Sequence, residues 1–207
     1  MKASRIDGLA DGIFSIVMTL LIIEIRVPEL HEQPNNNALW HALTELAPLC
    51  LSYVLSFSLL FTYWRAHSFV MANANAFNIK LTNANALFLF FVGLIPFTTH
   101  LLGKYNNTQL AVILYGLNII CIGVSLFRMK TYILKSNQKE DLHLTAKSIR
   151  HANIRLLVPV FCAVIAIGVC FINTVASLVL FTTLIIFNLT SAGADVVDFL
   201  IGKTEKE

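Results

Sequence analysis

The residues able to do chemistry in this chain concentrate near its amino terminus, in the string RIDGLADGIFSIVMTLLIIEIRVP over residues 5–28. Asp11 stands in an otherwise apolar run. The hydroxyls of Ser15 and Thr19 follow it, Glu24 comes later, and Pro28 closes the run. An ionised acid at the middle of a membrane helix costs roughly 2.5–3.5 kcal/mol on insertion scales, so Asp11 is expected to face protein or water rather than lipid. A polar anchor at the membrane interface is the plainer alternative. With a turn of about 100° per residue, Gly12, Ile16, Leu20, Ile23 and Val27 share one narrow stripe, with Thr19 on its edge, and Asp11 lies about 140° from Ile16. Such a helix has two sides that need protein or a cavity, as expected of one wedged between a central axis and the rest of its subunit. Ordinary packing against a neighbouring helix would also use the stripe.

Other chemistries find little support. The histidines (His31, His41, His67, His100, His143, His151) are scattered and do not cluster with acids or nucleophiles. A membrane enzyme would need such a cluster, so no catalytic residue, cofactor or resident metal is expected. The four cysteines (Cys50, Cys121, Cys162, Cys170) fall in apolar runs without ligand spacing and read as small core residues. The net charge of +3 is spread along the chain, which gives nucleic-acid binding no basis. A secondary transporter would carry polar groups on broken helices near mid-membrane. Pro48 and Pro96 could break helices, but acids deep in several spans are missing.

The elements that position the first string are themselves apolar helices. Charged residues make up 13% of the chain, against about 25% in soluble domains. About 20 apolar residues cross the hydrocarbon, and six segments qualify: about 7–27, 39–63, 84–102, 109–127, 154–172 and 175–192. The expectation is one all-α integral membrane domain over residues 1–207, with the last two spans joined by a tight turn at Asn173-Thr174. With the amino terminus inside, all of the 15 Lys and Arg residues except Arg26 and Lys104 fall on the inner side. The positive-inside rule then places both termini in the cytoplasm. Trp40, Tyr63, Trp64 and Tyr105 fall where helix ends should meet the headgroups. Lys2 and Arg5 ahead of an apolar stretch imitate a signal peptide, but Asp7 and Asp11 interrupt it, and the segment is expected to stay attached.

The first string resembles the transmembrane-protein-175 family of lysosomal and prokaryotic potassium channels. That family's signature is an Arg, three variable residues and Phe-Ser-Asp, followed by an apolar run with Thr-Leu-Leu, an acid and a Pro. Arg5, Asp11-Gly12, Phe14, Thr19-Leu20-Leu21, Glu24 and Pro28 stand in step with it, while Leu9-Ala10 replace Phe-Ser. Tyr63-Trp64-Arg65-Ala66-His67 is similar to the family's Trp-x-x-His. Asn85-Ala86-Leu87-Phe88 and Ile95-Pro96-Phe97-Thr98 are also family-like.

The resemblance implies a homotetramer of six-span subunits in a prokaryotic plasma membrane, with four copies of the first helix lining a central pore for potassium and other monovalent cations. The chain has no Thr-x-Gly-Tyr-Gly string, so a carbonyl filter is not expected. By position, Ile16, Leu20 and Ile23 match the family's pore-constricting residues, and Ser15 and Thr19 match its hydroxyl positions. Arg5, Asp11, Trp64, His67 and Asn85 match a polar cluster behind the cytoplasmic end of the pore helix. Modest selectivity for potassium over sodium follows, with a secondary transporter or a proton-leak pathway as the alternative. Glu24 would stand near the outer mouth, either gathering cations or snorkelling to the interface.

Overall fold

The computed structural model describes residues 3–30, 35–72, 74, 79–138, 146–174, 176–179, 181 and 183. They form helices α1 (Ala3–Ile23), α2 (Asn36–Glu45), α3 (Ala47–Ala72), α4 (Ile79–Gly93), α5 (Ile95–Lys104), α6 (Gln109–Gln138) and α7 (Ala146–Cys170), with no strand among the described residues. A further helix begins at Thr174. Among the described residues, four stretches are long and apolar enough to cross a membrane: Arg5–Ile23, Ala47–Ala72, Ile79–Lys104 and Gln109–Lys135. The apolar part of α7, Leu157–Cys170, is shorter.

Prolines set several of the boundaries. Pro48 and Pro96 each occupy the first turn of a helix, where the missing N–H has no intrahelical partner to lose. Pro96 thus divides α4 from α5 at Leu94 without ending the 26-residue span that they share. Pro48 acts together with a change of environment. Residues 36–45 have no buried side chain and carry His41 and Glu45, so they form the separate helix α2, capped at its start by Asn35 Oδ1 accepting from Ala38 N at 2.8 Å.

The second apolar segment therefore runs over Ala47–Ala72, displaced toward the carboxyl terminus from the expected 39–63. Tyr63-Trp64-Arg65-Ala66-His67 lie inside α3 rather than at its end. Tyr63 is not an interface anchor: it is fully buried, and its hydroxyl donates to Ile119 O at 3.2 Å. Helix α1 stops at Ile23, short of residue 27, and α6 continues to Gln138, well past 127. Helix α7 starts at Ala146 and contains Pro159. At the start of the last helix, Asn173 Oδ1 accepts from Ala176 N at 2.9 Å, and Ser177 Oγ donates to Ala166 O at 2.6 Å, which folds that helix back on α7. The rest of the expected 175–192 span lies outside the described residues.

Helix α6 is the hub, packed on α3, α4, α5 and α7. Where lipid surrounds helices, close approach of small residues replaces the hydrophobic drive to associate. At Gly116 an added Cβ would lie 2.8 Å from Ile167 Cδ1, and at Gly123 it would run into Val160 Cγ2, both on α7. Helix α1 packs at the edge, on α3, α4 and α5, and is the least buried of the four long spans: 28% of its apolar window is buried, against 56% for α6.

Candidate functional site

Helix α1 buries one face and leaves another open. Ile6, Ala10, Phe14, Val17 and Leu21 recur at steps of three and four residues, and all are buried in the subunit core. Around the helix, Ile16, Leu20 and Ile23 remain 59%, 43% and 66% exposed. Gly12 on the same stripe has nothing within 4 Å of where a Cβ would stand. The helix has its core side at Phe14 and an open apolar stripe at Ile16, while Asp11, expected to mark the second covered side, is itself exposed. Ser15 and Thr19 are exposed beside that stripe. Thr19 Oγ1 donates to its own helix, at 3.0 Å from Ser15 O and 2.8 Å from Ile16 O.

The five residues expected in one polar cluster divide into two pairs and a bystander. Trp64 Nε1 donates to Asp11 Oδ1 at 2.8 Å, which ties α1 to α3. His67 Nε2 lies 2.8 Å from Asn85 Oδ1, a buried contact that ties α3 to α4. Since a carboxamide oxygen only accepts, Nε2 carries the proton there. Arg5 is exposed and forms no ion pair among the described residues. It falls about 20° from Ile16 and about 120° from Asp11 around the helix, so it shares the open side and cannot turn to the acid. The partner of Asp11 is thus a neutral indole rather than a cation.

Between the two pairs sits a contact that reading by motif does not supply. Phe14 packs on both His67 and Phe88, with ring centroids 6.3 and 6.0 Å away, and the His67 ring stacks on Phe88 at 5.1 Å, with the planes 5° apart. Phe14 thereby wedges the buried face of α1 onto the α3–α4 pair. Its burial within an i, i+4 stripe is the sequence signal that could have found it. In the replaced Leu9-Ala10 position, Ala10 is fully buried and Leu9 is exposed.

Two further polar groupings left no local signal, because their members are far apart in the chain. Tyr115 Oη, Ser56 Oγ and Thr99 Oγ1 stand in series, 2.8 and 2.7 Å apart, inside the α3–α5–α6 core. At the far end of α1, Glu24 Oε2 lies 3.1 Å from His100 Nδ1 on α5.

Residues 5–96 match the family model described as "Endosomal/lysosomal potassium channel TMEM175". The chain is 26% identical over 148 residues to a potassium channel of Chryseobacterium sp. (strain P1-3), covering 69% of this chain and 73% of the relative. It is 28% identical to the endosomal/lysosomal proton channel TMEM175 of Danio rerio, over 69% of this chain but only 29% of that longer protein. In fold it superposes on the crystal structure of a lysosomal potassium-selective channel TMEM175 homolog from Chamaesiphon minutus with a TM-score of 0.74 at 23% identity, covering 90% of this chain and 95% of that one. The matched residues hold α1, α3, α4 and the start of α5, the helices that carry both polar pairs and the open stripe. Through them, the first half of the chain is similar to the TMEM175 family.

Proposed function

We propose that this protein is a potassium-permeable cation channel of a prokaryotic cell membrane. Four subunits of six spans each, with both termini cytoplasmic, surround a pore lined by α1. The observation that carries this reading is the open stripe of α1, where Ile16, Leu20 and Ile23 stand exposed on the side away from the subunit core. Four copies facing an axis form stacked apolar rings, which close to ions by excluding water. Ser15 and Thr19 border the rings. The Thr19 proton is committed to its own backbone, so its oxygen offers lone pairs to a passing cation. Hydroxyl oxygens replace a hydration shell only in part. The more weakly hydrated potassium ion passes more readily than sodium, with modest discrimination. Asp11–Trp64, His67–Asn85 and the Phe14 wedge hold the back of the helix, so that the stripe keeps its direction.

The test is purified protein in a planar bilayer under asymmetric potassium and sodium. Unitary steps reversing nearer the potassium equilibrium potential are expected. Flux without steps would instead make the protein a secondary transporter. A second reading, proton permeation, draws support from the name of the Danio rerio relative. It requires a reversal potential that follows the pH gradient when potassium is equal on both sides.

A further inference from the structure

We infer that Glu24 and His100 form a proton-operated control at one mouth of the pore, in which Glu24 gathers cations and His100 cancels its charge. This rests on the channel reading above. Glu24 is the first residue beyond α1 and follows Ile23 directly, so four copies would ring the end of the apolar collars. Its Oε2 stands 3.1 Å from His100 Nδ1, and the two side chains are 42% and 37% exposed. Nδ1 itself is buried and has no aligned hydrogen-bond partner. The short approach is therefore a coulombic contact without hydrogen-bond geometry: it gains strength when the imidazole takes up a proton and offers little when the ring is neutral.

The other ionisable groups near this end do not compete for that role. Arg26 and Glu29 follow Glu24 and form no ion pair among the described residues. On α2, His41 is engaged with Glu45 at 3.4 Å, and both are well exposed. Helix α3 offers Cys50 and Tyr53, and α6 offers the buried Tyr115, which bonds Ser56. On α5, Lys104 Nζ lies 5.7 Å from the centre of the Tyr105 ring. Helix α4 brings no ionisable group here, since its Lys80 is at the opposite end. Imidazole is the side chain whose charge changes between about pH 5 and 8, which leaves His100 as the group placed to answer a physiological pH change at Glu24.

With His100 neutral, each subunit leaves an uncompensated carboxylate beside the pore, and the ring of four raises the local cation concentration. With His100 protonated, each pair is neutral and the end of α1 is tied to α5. Acid on that face then lowers the supply of potassium without blocking the pore.

The experiment compares unitary potassium conductance in planar bilayers at low ionic strength for wild type, His100→Gln and Glu24→Gln. The Glu24 face is taken from about pH 8 to about pH 5.5, the interval that spans imidazole titration. Wild-type conductance is expected to fall about two- to threefold, with the fall shrinking in high salt as the field is screened. His100→Gln should keep the high conductance throughout, and Glu24→Gln should stay low at both ends. An equal pH response in wild type and His100→Gln overturns the inference, as does full conductance in Glu24→Gln at high pH. Absence of any unitary current from assembled wild-type protein at every pH removes the channel reading itself, which is a separate failure.

Discussion

A threonine whose proton is bound to its own helix differs in use from one whose hydroxyl turns freely. Thr19 Oγ1 is held by the carbonyls of Ser15 and Ile16, which directs its lone pairs away from the backbone on the exposed side. Thr19→Ala is expected to leave the apolar rings in place and to reduce the preference for potassium over sodium, read from bi-ionic reversal potentials. Ile16→Asn puts an amide where a branched alkyl group excluded water, so current should rise as ion preference weakens. Ile22→Asn is the control: Ile22 is also exposed but lies about 120° from Ile16 around the helix. In assembled protein that variant should leave permeation unchanged, whereas unchanged current and preference in Ile16→Asn would move the pore off this helix. For Asp11, the neutral indole partner reduces what its loss should cost. Removal leaves a Trp64 N–H without its charged acceptor rather than a buried cation without its anion. Asp11→Ala should cost about 1.5 kcal/mol, the low end for a hydrogen bond to a charged group, read as a lowered melting temperature in detergent. Normal melting combined with lost potassium preference would place Asp11 on the ion path instead.

Helices in lipid hold together where side chains are smallest, and the glycines of this chain separate two kinds of surface. Gly123 lets α6 approach Val160 of α7 so closely that a Cβ has no room, while Gly12 of α1 has open space. Gly123→Ala should therefore destabilise the subunit by about 1–3 kcal/mol, as overpacking does. Adding Val160→Ala should restore much of the loss; failure to restore it in the double variant would mean that α6 and α7 do not meet there. The order of the four long apolar spans was legible from runs of apolar residues, whereas the expected spans 39–63 and 84–102 ran through Pro48 and Pro96, the prolines that begin α3 and α5. The bounds were less legible. Residues 39–45 mix Leu39, Trp40 and Leu43 with His41, Thr44 and Glu45 and bury no side chain, and together with Pro48 this separates α2 from α3. The placement of Tyr63 and Trp64 at a helix end failed for a related reason, since an aromatic residue with a polar tip suits an interface or a buried carbonyl equally well.

At the scale of the whole molecule, the subunit leaves its first helix with a stripe that its own core does not cover. Native mass measurement in detergent is expected to give a homotetramer, and a stable monomer that still conducts would reject a pore shared between subunits. That α1 has two distinct faces was fixed by the order of its residues, because a helical turn of about 100° per residue sets which side chains share a side, whatever the surroundings. The likeness to a channel family was likewise readable in the linear string. Which face meets the core was not: the stripe of Ile6, Ala10, Phe14, Val17 and Leu21 and that of Ile16, Leu20 and Ile23 are both apolar, and only packing on α3, α4 and α5 chose between them. The polar partners were decided the same way. Asp11 found Trp64 instead of Arg5, and Glu24 found His100, because hydrogen bonds and ion contacts depend on distances of about 3 Å between groups that lie dozens of residues apart. Helical phase is a local property of the chain, and partnership exists only once the helices are packed.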